Sequence, residues 1–158
     1  MEGTVGTALA DLERSGLART IRDSFALTAT LSAVHAVGFT LIMGGALLSN
    51  LRLAGALFRE RPAGEVVLPG VRSIQAGLAI SIVTGLLLFA PRAVAAAGSG
   101  MFRLKMLALI TAVAVQFLVI RPAVRRGVRA GAARYLGIVG LAFWTSLALA
   151  ACAYILLE

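Results

Sequence analysis

Four long apolar runs, separated by short stretches where charge, glycine and proline collect, set the pattern of this chain. The runs are unbroken rather than alternating, so they read as helices and not as the walls of a barrel. Each approaches or exceeds the roughly 20 residues a helix needs to cross a bilayer. The pattern places crossings at residues 25–51, 71–90, 101–120 and 135–157. Breakers mark their limits: Arg59-Glu-Arg-Pro62 and Pro69-Gly70 before the second, Pro91-Arg92 after it, and Arg121-Pro122 at the end of the third. Between the second and third, residues 93–100 read as a low-complexity turn of small residues. Ahead of the first run, residues 7–22 carry Leu9, Leu12, Leu17 and Ile21 among charges of both signs. That spacing predicts a short amphipathic helix in the membrane interface, broken at Ser15-Gly16. The expected fold is an all-α integral membrane bundle of four transmembrane helices with an N-terminal interfacial helix, in a single domain.

Composition agrees with this reading. With 59% apolar residues, 14% charged residues and a mean hydropathy of +0.93, the chain lies outside the range of a soluble domain of its length. A net charge of +8 would suggest nucleic acid in a soluble protein. Here most arginines sit in short loops beside apolar segments, where membrane topology accounts for them and no nucleic-acid partner is needed. The face carrying the first and third connections collects nine basic residues, and the face carrying the termini collects six, together with five of the seven acids. The positive-inside rule therefore predicts both termini outside the cytoplasm. Glu2, Asp11 and Glu13 stand where a signal peptide would be basic and then apolar, so the first crossing is expected to act as its own insertion signal.

One residue changes the picture. His35, the only histidine, falls about ten residues into the first crossing, roughly 15 Å deep at helical rise. An ionisable residue near the midplane is costly without a partner and marks a functional candidate. Thr28, Ser32, Gly38, Phe39, Ile42 and Gly45 share its helical face. Gly38 and Gly45 leave room for a close helix or a flat cofactor. Three roles are open to His35: an imidazole hydrogen-bonded to a neighbouring helix, the axial ligand of a b-type haem, or a copper ligand joined by Met106 or Cys152. A lone histidine leaves the second ligand to a methionine, a cysteine, water, or His35 of a second copy. Arg92, Arg103 and Lys105 collect above this half of the bundle, where they anchor the interface or, with haem, pair with propionates.

Other polar residues in the crossings, Gln75, Thr84 and Gln116, read as interhelical hydrogen bonds, and Trp144 and Cys152 as packing residues. Gly77, Ser81 and Gly85 form a small-residue stripe suited to close helix approach, within the chain or with a partner. Cys152, as the single cysteine, excludes an intrachain disulfide. No phosphate-binding glycine loop, paired intramembrane carboxylates or triad-like set is present, which argues against a hydrolase and a proton-relay pump.

Several segments taken in order carry a resemblance: Leu12-Glu-Arg-Ser-Gly-Leu-Ala-Arg19, His35-Ala-Val-Gly38, Asn50-Leu-Arg52-Leu, Thr84-Gly-Leu-Leu-Leu-Phe89 and Phe102-Arg-Leu-Lys105. Over most of its length the chain resembles a family of small, uncharacterised bacterial four-helix membrane proteins, loosely related to copper-resistance D (CopD-like) membrane domains. The resemblance implies a four-helix membrane protein of the bacterial inner membrane with a metal or haem role. A homo-oligomer or a larger membrane complex is expected separately, because a second copy would supply the missing second ligand. Ser32 stands where the family carries an acid, and Asn50 where it carries an aspartate. A cofactor-free subunit that packs against partner proteins or lipid is the alternative from a different functional class.

Overall fold

The computed structural model describes residues 2–157; the acidic residue Glu158 lies outside them. The described residues are mostly helical: α1 (Glu2–Arg14), α2 (Gly16–Asp23), α3 (Phe25–Ala54), α4 (Ala63–Phe89), a 3-10 turn (Ala90–Arg92), α5 (Ala93–Gly98), α6 (Gly100–Ala114), a π-turn (Val115–Ile120), α7 (Arg121–Arg125) and α8 (Ala130–Leu157). Four helical stretches, Phe25–Ala54, Ala63–Gly98, Gly100–Arg125 and Ala130–Tyr154, are long and apolar enough to cross a membrane, so this is a multi-pass membrane bundle. An even number of crossings puts both termini on one face, called here the terminal face, and the first and third connections on the opposite, loop face.

Hydroxyl caps start several helices. Ser15 accepts from Ala18 N at 3.2 Å, Ser24 from Leu27 N at 3.3 Å, and Ser99 from Phe102 N at 2.9 Å. The expected break at Ser15-Gly16 is this first cap. Gly55, at φ 77°, ends α3 in the left-handed region that suits glycine, and its N–H returns to the last turn.

Three expected breakers do not interrupt the helices. Pro69 lies inside α4 near its start, where it forfeits one bond to the preceding turn, and Gly70 after it gives the close approach described below. Residues 93–98 form helix α5 rather than a turn, because alanine is the strongest helix former and Pro91 sits at the start of the 3-10 turn. The third crossing runs past Arg121-Pro122 to Arg125. The π-turn immediately before it relieves the crowding that a proline ring imposes on the preceding turn.

Helix α3 is the hub, packed on α4 along one side and on α8 along the other, with α6 beyond α8. Both seams are built on glycine. A Cβ on Gly38 would lie 2.6 Å from Ser81 Oγ, and one on Gly77 would lie 2.5 Å from the Gly38 carbonyl and 2.8 Å from Ile42 N. Further along, Gly45 and Gly70 face each other backbone to backbone. On the other side, a Cβ at Gly137 would meet the Asn50 carbonyl at 2.6 Å, and Gly140 rests against the Asn50 side chain. The small-residue stripe of α4 is thus spent within the chain, against α3, and is not free to hold a partner. Ile42, Ala46, Ile74, Ala112, Trp144 and Leu147 fill the core between the seams.

At the terminal face, α1 and α2 fold over the second connection. Arg22 donates to the Pro91 carbonyl at 2.7 Å and pairs with Glu13 at 3.5 Å, while Glu13 accepts from Val94 N at 3.1 Å. The seam geometry makes a test. Gly77→Ala is expected to lower stability by about 1–3 kcal/mol in thermal unfolding in detergent, since the methyl group would meet backbone that cannot yield locally. Gly131→Ala, whose methyl group meets nothing within 4 Å, should leave stability unchanged or raise it by up to about 1 kcal/mol. Equal behaviour of the two variants would remove the basis for the seam.

Candidate functional site

His35 sits at the upper end of the α3–α4 seam. Its Nδ1 lies 2.8 Å from Thr84 Oγ1, and that hydroxyl lies 2.7 Å from the Ile80 carbonyl one turn back on α4. A hydroxyl has one proton. With it directed to Ile80, the bond to His35 requires Nδ1–H as donor and Thr84 as acceptor, which leaves the lone pair on Nε2. The Ser81 carbonyl offers a second acceptor at the same place on α4. Gly85 lies alongside the ring: a Cβ there would come within 3.2 Å of Cε1. Thr84 fixes the ring orientation and Gly85 gives it room, so the Thr84-Gly85 pair is the imidazole's seat.

The residues grouped with His35 in the sequence separate in space. Gly38, Ile42 and Gly45 are buried in the seam, so the room they provide is filled by a close helix. Ser32 is exposed, and the imidazole is held from α4 and not from position 32. Of the three cations, Arg92 and Arg103 are exposed, whereas Lys105 is half-buried with Nζ 5.4 Å from the Tyr154 ring centroid. Lys105 is also within electrostatic range of His35. Phe102 bridges this corner, stacked on Phe89 at 5.4 Å and tilted against Tyr154 at 6.1 Å. Met106 is half-buried on α6, which packs on α8. Cys152 lies on the exposed side of α8, off the Trp144-Leu147-Ala151 face that meets the bundle. Among the described residues, no three His, Cys, Asp or Glu side chains assemble into a metal-binding group.

A second polar centre, near the loop face, was visible in the sequence only in part. Asn50, Gln116 and Trp144 are all buried, with exposures of 0%, 0% and 1%. Gln116 Oε1 accepts from Trp144 Nε1 at 3.2 Å and from Asn50 Nδ2 at 3.3 Å, tying α3, the π-turn and α8 together. Asn50 Nδ2 also donates to the Ala46 carbonyl at 2.8 Å. Gln116 meets the expectation of an interhelical bond, as does Thr84, while Gln75 is exposed. In the sequence Asn50 stands out only as a departure from a family pattern. Its place in this network could have been anticipated from its being an uncharged amide four residues inside the end of an apolar helix.

The fold and site define a four-crossing membrane bundle with a single histidine seated between its first two long helices. A family model described as a family of unknown function, DUF6644, matches residues 15–156, and the chain belongs to that family. No curated protein and no solved structure matches the chain.

The amide network has a built-in reporter, because Trp144 is the only tryptophan. Gln116→Leu removes the acceptor shared by Asn50 and Trp144, and should cost about 1–3 kcal/mol. It should also shift tryptophan emission to shorter wavelength. Thr84→Val should leave the emission unchanged, and a matching shift in that variant would contradict the separation of the two centres.

Proposed function

We propose that this is a bacterial inner-membrane protein in which His35 Nε2 serves as the ligand to a metal centre, for electron transfer or metal handling. The reading rests on one contact: Nδ1 lies 2.8 Å from the Thr84 hydroxyl, and with that hydroxyl's proton directed to Ile80 the opposite nitrogen keeps its lone pair. A ligating histidine is characteristically anchored in this way through its other ring nitrogen. Of the two centres considered, a b-type haem fits the neighbouring side chains better than copper. Lys105 turns inward toward His35 and Tyr154, where a cation would suit an anionic propionate, and Cys152 turns outward, away from a shared copper site. Such a haem would supply one-electron chemistry, while the chain fixes the imidazole's orientation and its proton.

The sixth ligand would be water or His35 of a second copy, which makes a homo-oligomer part of the proposal. The resemblance to CopD-like domains belongs to the same reading, as does an orientation with both termini outside the cytoplasm. Full-length protein purified from a haem-replete host is expected to show a Soret band that is lost in His35→Ala and kept in Cys152→Ser. A colourless, copper-free preparation that remains folded would refute both metal centres and leave the cofactor-free membrane subunit.

A further inference from the structure

At the loop face, away from the His35 cluster, three arginines gather around a recess. Phe117, Arg121, Pro122, Arg125 and Arg126 line a space of about 240 Å³ at the end of the third crossing. Arg121 Nε is buried and has no hydrogen-bond partner. Arg125 and Arg126 are exposed, and no carboxylate pairs with any of the three among the described residues, where the one ion pair joins Arg22 to Glu13 on the terminal face. Two other arginines of the loop face are occupied. Arg52 donates to the carbonyls of Arg61 and Arg59, and Arg59 to that of Gly55. Those guanidinium groups hold the first connection in shape.

Three guanidinium groups facing one recess repel one another, and a buried N–H without an acceptor carries an uncompensated desolvation cost. Both are relieved by an anion with several oxygen atoms. Arginine forks match phosphate geometry, and the recess lies where an apolar span ends, at the depth of lipid headgroups. The π-turn just before Arg121 resets the phase of the helix, so the arginines arrive on the side facing the recess. Phe117 and Pro122 supply an apolar floor beside the charges.

We propose that Arg121, Arg125 and Arg126 form a phosphate-binding site, occupied in the membrane by the phosphodiester headgroup of an anionic phospholipid. The site is independent of the metal-centre reading, since it uses none of the residues around His35. Native mass spectrometry of the full-length protein in detergent tests it, with phosphatidylglycerol as probe, phosphatidylcholine as the zwitterionic control and inorganic phosphate as competitor. Phosphatidylglycerol should be retained in preference to phosphatidylcholine, and each arginine replaced by glutamine should weaken retention about fivefold. Arg134→Gln, an exposed charge outside the recess, should have little effect. If Arg121→Gln fails to fold, the Arg125→Gln/Arg126→Gln double variant carries the test, because both side chains are exposed. Equal retention of the two lipids, or an equal loss in Arg134→Gln, would overturn the lipid site. Phosphate that stabilises the wild type but not the double variant, with no lipid preference, would assign the same site to the free anion.

Discussion

The close approach of α3 to its two neighbours is the constraint on which the rest of the structure depends. Between helices in lipid there is no hydrophobic gain to collect, because the acyl chains are as apolar as the side chains they would replace. Cohesion must come from packing and from the few polar contacts available. Gly38, Gly45, Gly70 and Gly77 let the α3 and α4 backbones meet, and Gly137 and Gly140 do the same for α8 against α3. The site follows from this approach. His35 lies one turn before Gly38 on the hub helix, so the contact that admits Ser81 to the seam also delivers Thr84 and Gly85 to the imidazole.

The bundle carries its polar groups at two levels, each tied to a seam. Toward the terminal face, Thr84 meets His35 across α3 and α4, and an aromatic corner of Phe89, Phe102 and Tyr154 receives Lys105. Toward the loop face, Asn50, Gln116 and Trp144 join three helices through one carbonyl oxygen. Unpartnered amide atoms remain there, Asn50 Oδ1 and Gln116 Nε2. The bonded atoms of the network, Gln116 Oε1, Asn50 Nδ2 and Trp144 Nε1, favour one arrangement of the helices, because a rotated register would leave them unpaired as well.

Hydropathy made the four crossings readable from the sequence, because a bilayer imposes a length and a polarity that few other environments require. The boundaries were less readable. Pro69, Pro122 and the alanine run from Ala93 are local signals whose meaning depends on what surrounds them. A proline near a helix start or beside a π-turn costs little, and alanines bounded by a 3-10 turn and Ser99 form a helix. His35 stood out by its depth, but its partner did not, since Thr84 is one of several hydroxyls and only the register of α4 against α3 selects it. The glycine stripe was recognisable as a packing surface, and only the fold showed that its counterpart lies in the same chain. Chemical type groups Cys152 with His35, and only the fold shows that Cys152 lies on the exposed side of α8.

With the Thr84 proton held by Ile80, the α3–α4 seam fixes the proton of His35 on Nδ1 and leaves Nε2 bare. As the only histidine, His35 gives an unambiguous signal in nitrogen-15 NMR of histidine-labelled protein in bilayers. In the absence of bound metal, the spectrum should show Nδ1 protonated and Nε2 unprotonated, with that preference lost in Thr84→Val. A proton on Nε2, on both nitrogens, or a spectrum unaffected by Thr84→Val would contradict the account.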